Sequence, residues 1–311
     1  EIVLVTGVQT CALPISLFAK SKGILAGLPF FTEVFTQCGC TVAWHLSEGA
    51  TVAPTSGNPV RVATVSGPTR QLLLGERVAL NALARCSGVA TASSEMVELV
   101  RGAGYTGILA GTRKTTPGFR VVEKYGMLVG GADAHRHDLS SMIMLKDNHI
   151  WARGSITEAV KAARKVGGFA LKIEVEVDSE EGADEAIEAG ADVVMLDNFG
   201  GEGLKVAAKA IRGRWEGKKG VLLECSGGLT RENVREYVCN GKMGDLSIGC
   251  RTLANRGRYR YHLDERDSPG CATCRFLPQN RSLEYANLTL LYILFPAYCV
   301  DRKSTRLNSS H

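Results

Sequence analysis

Residues 111–120 read GTRKTTPGFR and place three fixed cations, Arg113, Lys114 and Arg120, in one short stretch without an acid. The stretch follows the apolar run YTGILA, so it reads as a loop leaving a buried strand. Unpaired positive charge beside a core calls for an anionic ligand. Further on, LKIEVEV alternates Lys172, Glu174 and Glu176 with Ile173, Val175 and Val177, which puts the three charges on one face of a strand. On a solvated antiparallel strand that face would simply be wet. On a barrel strand covered by helices it points inward, where unpaired charges are strongly destabilising. They then need one another, a metal or a ligand, which leaves a binding site and a structural ion network as the two readings. Asp197 in VVMLDN and Glu224 in LLEC add acids at two more strand ends. Carboxylates without His or thiolate partners suit a hard, oxygen-seeking cation, Mg2+ above all. Ser226, Gly227 and Gly228 follow Glu224; glycines let backbone N–H groups approach a phosphate, although S-G-G alone also serves as a turn. His135 and Arg136 in HRHD and Lys146 in KDNH supply more positive charge, and Arg113, Arg136 and Lys146 can converge on a multiply charged small anion. No Ser-His-Asp or Cys-His arrangement is apparent. Catalysis by positioning and charge stabilisation is the natural reading.

Such residues need a frame. TGILA, SMIML, FALKIEVEV, ADVVML, GVLLEC and DLSIG read as strands, and amphipathic helices separate several of them. SITEAVKAARKVGG opens with the capping pair Ser155 and Glu158 and closes on glycine; SEEGADEAIEAG and TRENVREYVCNG end in the same way. Repeated βα units predict a parallel sheet, and their number fits a (β/α) barrel better than an open sheet. The candidate residues then fall at the C-terminal strand ends, where barrels build their sites. Residues 17–75 read instead as an α+β piece with short alternating stretches. LGERVALNALARCSGVATASSEMVELV (74–100) predicts one long helix, or two in line, joining the piece to the barrel.

The bulk properties narrow the class. At 45% hydrophobic and 22% charged residues over 311 positions, the composition is that of a soluble globular chain. The net charge of +5 suggests nucleic acid until it is located: residues 251–300 carry +3 and 301–311 carry +2, so residues 1–250 are neutral and no nucleic-acid partner is expected. No run spans a bilayer; LTLLYILFPAYCV (288–300) is short and interrupted by proline. The cysteines are scattered, CATC (271–274) has no second pair to complete a metal site, and NLT (287–289) reads as a chance acceptor pattern. No secretory signal is visible, and a reducing, cytoplasmic setting is expected. The ends are unusual. VTGVQTCALPI (5–15) and DRKSTRLNSSH (301–311) resemble the two reading directions of a sequencing adapter, so 1–16 and 301–311 are expected to lie outside the fold, and 251–300 is left unassigned.

The blocks LLLGERVALNALARCSGVAT, GTRKTTPGFRVVEKYGMLVGGADAHRHDL, MLKDNHI, LKIEVEV, GADVVMLDNF and ECSGGLT resemble the quinolinate phosphoribosyltransferase family from about residue 17 to 249. The resemblance implies an α/β protein: a smaller N-terminal α/β sandwich domain, truncated here to 17–75, and an incomplete (β/α) barrel over 76–250. It implies a homodimer or higher homo-oligomer that joins quinolinate to phosphoribosyl pyrophosphate with Mg2+ in NAD biosynthesis, releasing pyrophosphate and CO2. By position, Arg113, His135, Arg136 and Lys146 resemble the grip on the quinolinate carboxylates, with Thr112 and Lys114 beside them. Arg77 resembles an arginine contributed across the dimer. Glu176 and Asp197 resemble the Mg2+ ligands, with Lys172 nearby, and Ser226, Gly227 and Gly228 the 5′-phosphate loop. Lys114, Lys146, Lys172, Glu176 and Asp197 are the implied catalytic set. The alternatives are a nicotinate-type phosphoribosyltransferase and an inactive metabolite-binding or truncated product. The family's segments before Leu17 and after Gly249 are expected to be replaced, and this polypeptide to be impaired as a result.

Overall fold

The computed structural model describes residues 14–55, 58–218 and 220–238, together with the backbone of two strands, Leu246–Gly249 and Tyr292–Leu294. The N-terminal portion follows from alternation. β1 (Ile15–Ala19) buries Ile15, Leu17 and Ala19 and turns Ser16 and Phe18 to its other face. After it come β2 (Gly23–Ile24), α1 (Leu28–Gln37), β3 (Thr41–Trp44), β4 (Thr51–Val52) and β5 (Val60–Ser66). β1 and β3 flank β5 antiparallel, and β2 pairs β4 in a separate ribbon. Helix α1 lays Phe31 and Phe35, one turn apart and fully buried, on this sheet. Their rings stand 5.0 Å apart, and Phe31 meets Trp44 edge-on at 5.2 Å. The Glu48 carboxylate accepts the N–H groups of Gly27 and Leu28 at 2.6 and 3.0 Å, which satisfies donors that a helix start leaves open.

Helix α2 (Thr69–Gly102) is a single element of 34 residues rather than two in line. Its first half gives Leu72, Ala79, Leu80 and Leu83 to the core of the small domain, and its second half gives Val89, Met96 and Val100 to the core of the larger one. One helix therefore belongs to both hydrophobic cores.

The larger domain continues with β6 (Leu109–Ala110), α3 (Arg120–Val129), β7 (Ile143–Leu145), α4 (Asp147–Arg153), α5 (Ile156–Gly167), β8 (Ile173–Val177), α6 (Glu180–Ala189), β9 (Val193–Asp197), α7 (Gly201–Trp215), β10 (Leu222–Ser226) and β11 (Leu246–Gly249). The six strands run in the order β6-β11-β10-β9-β8-β7, all parallel, with β6 and β7 as its two edges. That is the incomplete (β/α) barrel expected. Ile173, Val175 and Val177 pack in one core with Val160, Ile187 and Leu204 of the covering helices, so Glu174 must face the other way, into the sheet's interior side. Ser155 and Ser179 cap α5 and α6 by accepting the N–H groups of Glu158 and Gly182 at 3.1 and 3.2 Å.

Three expectations change. Ile15 and Ser16 lie within β1, inside the stretch expected to stay outside the fold, because an isoleucine fully buried against β5 is worth more to the sheet there than in water. β12 (Tyr292–Leu294), from the unassigned segment, pairs antiparallel with β1. TRENVREYVCNG forms a 3-10 turn at Val234–Tyr237, not the expected α-helix, within its described part. Asn233 explains the change: its side chain accepts from the Thr230 N–H at 2.7 Å and donates to the Gly228 carbonyl at 3.0 Å, which holds the stretch against the preceding loop. The CATC and NLT patterns lie outside the described residues.

Phe31→Ala leaves a hole between α1, Phe35 and Trp44. It is expected to lower stability by about 3–5 kcal/mol, read by urea unfolding; a loss below ~1 kcal/mol would show that this cluster does not hold the small domain together.

Candidate active site

The strand ends of the larger domain gather the charges. The loop after β6 begins at Gly111, whose N–H donates to the Asp133 carbonyl at 2.8 Å, and carries Thr112, Arg113 and Lys114. Arg113 is half-buried, and its Nε is buried without a hydrogen-bond partner among the described residues. The next loop carries His135 and Arg136. His135 is held in the left-handed region at φ 55°, and its backbone N–H donates to the Asp133 carboxylate at 2.6 Å. A non-glycine residue in that region is held by its surroundings. This conformation aims the imidazole at β8 and β10: Nε2 lies 3.2 Å from Glu224 Oε2 and 3.5 Å from Glu174 Oε2. Arg136 donates to the Met142 carbonyl and lies against Met144 of β7, each at 3.3 Å.

Electrostatics bind this group together. Glu174 is fully buried; desolvation first, and then the Glu224 charge, push its carboxyl up to about 8, while His135, Arg136 and Lys146 pull it down. His135 is raised as well, but for the opposite balance of causes. Burial opposes its protonation, but the hydrogen bond and charge of Glu224, with the charge of Glu174, outweigh it and raise its pKa. Burial and then the Arg113 guanidinium lower the pKa of Arg136, so the two arginines lie within reach of each other's field. Lys124 of α3 is 3% exposed, donates its Nζ to the Ala134 carbonyl, and is depressed to about 8 by burial and by Arg120, Arg113 and Arg136, with Asp133 opposing.

At β8, Glu176 forms an ion pair with Lys146, which stands at the start of α4. At β9, Asp197 accepts from the Asn198 side chain. Asn198 sits at φ 60° and donates its N–H to the Ser226 carbonyl at 3.1 Å, so the ends of β9 and β10 are stitched together. Gly227 follows at φ 104°, and a Cβ there would lie 2.6 Å from Asn198 Oδ1 and 3.1 Å from its backbone nitrogen. Only glycine fits between the two loops.

Arg113, His135, Arg136, Lys146, Glu176, Asp197, Ser226 and Gly227 therefore come from the ends of neighbouring strands. Lys172 does not join them. It precedes β8 and is exposed, and Glu176 stands four residues further on, roughly 13 Å along an extended strand. The alternating pattern extends one step beyond the strand that carries it. Arg77 is exposed on α2, among the exposed Leu73, Leu74 and Val78. Lys124 was not among the expected residues; its signal was a lysine one helical turn before the buried Met127, on the face of α3 that turns inward.

A parallel, helix-covered barrel with an arginine- and lysine-rich loop, strand-end carboxylates and a glycine loop has the parts of an enzyme that handles small anionic, phosphorylated molecules. The chain matches the N-terminal domain of quinolinate phosphoribosyl transferase over residues 3–87 and the C-terminal domain over 89–254, and it belongs to that family. It is 52% identical over 239 residues to the human nicotinate-nucleotide pyrophosphorylase [carboxylating], covering 77% of this chain and 78% of that one. The crystal structure of NadC from Streptococcus pyogenes superposes with a TM-score of 0.69 at 37% identity, covering 79% of this chain and 83% of that one. The human nicotinic acid phosphoribosyltransferase structure, at 16% identity, a TM-score of 0.51 and coverage of 77% of this chain and 68% of that one, shares the fold.

Two outcomes test this geometry. Because the fold favours the protonated Glu174 carboxyl, raised to about 8, stability is expected to fall as pH rises between about 4.5 and about 8. Melting temperatures across that range should flatten in Glu174→Gln; an unchanged slope would remove Glu174 as the cause. Gly227→Ala should push the β9 and β10 loops apart and reduce turnover at least tenfold, of the order expected for a misplaced binding loop, with the circular dichroism spectrum retained. Full activity in that variant would show that the loop tolerates the shift.

Proposed function

We propose that this site binds quinolinate and phosphoribosyl pyrophosphate and joins them, giving nicotinate mononucleotide, pyrophosphate and CO2 in NAD biosynthesis. The observation that carries the reading is the crowding of Arg113, Lys124 and Arg136, whose fields each depress a neighbour's pKa. Like charges held that close are relieved by a ligand with more than one negative charge. A dicarboxylate meets that need better than a monocarboxylate, which favours quinolinate over nicotinate.

In this reading Arg113, His135, Arg136 and Lys146 grip the two carboxylates, with Thr112 and Lys114 closing the same loop over the ring. Ser226, Gly227 and Gly228 receive the 5′-phosphate, whose oxygens accept backbone N–H groups that the glycines leave uncovered. Glu176 and Asp197, carboxylates at the C-terminal ends of neighbouring strands, are the donors that Mg2+ prefers, and they would hold the ion that neutralises the pyrophosphate. The ion's contribution is charge neutralisation of the leaving group. The chain's own residues do the rest. They align the pyridine nitrogen with the ribose C1, the C1–O bond to pyrophosphate breaks as the C1–N bond forms, and the carboxylate beside the now quaternary nitrogen leaves as CO2, with its electron pair passing to the ring and a proton taking its place. The His135 imidazole, whose protonated form Glu224 favours, and the guanidinium groups stabilise charge throughout. Lys146 exchanges its Glu176 partner for a substrate carboxylate, which frees Glu176 for the ion.

A homodimer suits Arg77. It stands on α2 with Leu73, Leu74 and Val78, which are 55%, 60% and 60% exposed, and a second copy covering that face would carry Arg77 to the partner's site. A cytoplasmic setting suits Cys38, Cys40 and Cys86, all of them free thiols. No helix among the described residues is long and apolar enough to cross a membrane.

The test is pyrophosphate release with phosphoribosyl pyrophosphate, Mg2+ and either quinolinate or nicotinate. Turnover is expected with quinolinate, and turnover with nicotinate alone would overturn the assignment. Arg113→Ala should weaken quinolinate binding by roughly 1.5–3 kcal/mol, the scale of one charged hydrogen bond. An unchanged dissociation constant by calorimetry would remove Arg113 from the grip.

A further inference from the structure

Glu123 and Lys124 are neighbours on α3, opposite in charge and buried at 0% and 3% exposure, and each is bonded to a different loop of the site. Glu123 accepts the Thr116 backbone N–H at 3.1 Å and its hydroxyl at 2.7 Å. Arg85 of α2 closes the ring, with Nε donating to Glu123 at 2.7 Å and Nη2 donating to the Thr116 hydroxyl oxygen at 2.9 Å. Thr116 is three residues beyond Arg113. Lys124 donates to Ala134, the residue before His135. Helix α3 thus fastens both cation-bearing loops, and it is itself pressed onto α2: a Cβ on Gly126 would lie 2.7 Å from the Cys86 carbonyl oxygen. A buried ion pair adds little net stability over apolar residues of the same volume, but it fixes geometry.

We propose that Glu123, Arg85 and Thr116 form a positioning latch that sets the Arg113 loop at the distance from His135 and Arg136 that a dicarboxylate requires. This rests on the reading of those residues as the quinolinate grip. The latch touches no substrate. It acts by keeping Arg113, whose side chain is otherwise repelled by Lys124 and Arg136, from swinging out toward solvent.

Thr116 is exposed as a residue, so replacing it leaves the core intact. Thr116→Val removes the hydroxyl with little change in volume, and Thr116→Ser keeps it. In the full chain, Thr116→Val is expected to raise the KM for quinolinate about tenfold, the effect of one hydrogen bond between a hydroxyl and a charged group. The KM for phosphoribosyl pyrophosphate and the melting temperature should stay as in the parent, and Thr116→Ser should restore the quinolinate KM. Arg113→Ala is measured alongside. If Arg113→Ala raises the quinolinate KM and Thr116→Val does not, the latch is overturned and the grip stands. If neither moves it, both are overturned. A rise in both KM values together, or a lower melting temperature with both unchanged, makes the network a structural one and also overturns the latch.

Discussion

Several like charges must be held in one place, and the rest of the larger domain is arranged around that constraint. After burial, the Arg113 charge lowers the pKa of Arg136, and the charges of Arg120, Arg113 and Arg136 lower that of Lys124. Buried carboxylates are what make the crowding tolerable. Glu123 sits behind the first loop and Glu224 behind the imidazole of the second, with the Glu174 carboxyl beside it, so each cation-bearing loop has a carboxylate on its inner side. The outward side is left positive. A ligand with two carboxylates completes a charge arrangement that the protein alone leaves unbalanced, and its binding relieves a strain already present in the fold.

The two ends of the substrate pair are handled by different physics. Toward the β6 and β7 edges, side-chain charge dominates. Toward β9 and β10, backbone shape dominates: Asn198 and Gly227, both at positive φ, interlock so closely that the loop has almost no freedom of its own. A side-chain grip can adapt to small differences in an anion. A backbone cradle cannot, and in the proposed reading it is therefore the part that would fix where the ribose carbon stands relative to the ring nitrogen.

The fold was legible because its strands announce themselves: all six apolar stretches read as strands in the sequence form the parallel sheet, and the Ser155 cap holds α5 as its spacing implies. The helix over 74–100 was legible in extent. What failed was local. Lys172 continues the alternation of Glu174 and Glu176, but nothing in the alternation marks where the strand begins, and the strand begins one residue later. TRENVREY has helical composition, and the side-chain bonds of Asn233 to residues before it override that preference. Lys124 was missed for a different reason. A lysine on an amphipathic helix is ordinarily solvated, and the 3% exposure of this one and its bond to the Ala134 carbonyl come from the loops folded around it. The roles of Glu174 and Glu224 lie between these cases: their inward direction follows from the strand pattern, whereas their meeting with His135 depends on a strained backbone that no pattern predicts.

Helix α2 has one more consequence. At about 1.5 Å per residue its 34 residues make a rod of roughly 50 Å, and both hydrophobic cores are bolted to it. Neither core can come apart without stripping part of that rod, so the two domains should lose structure as one cooperative unit and not in sequence. The same rod makes the protein mechanically stiff along one axis. Arg77 and Arg85 share that one continuous helix, so the exposed face around Arg77 and the residue that holds Thr116 belong to a single element.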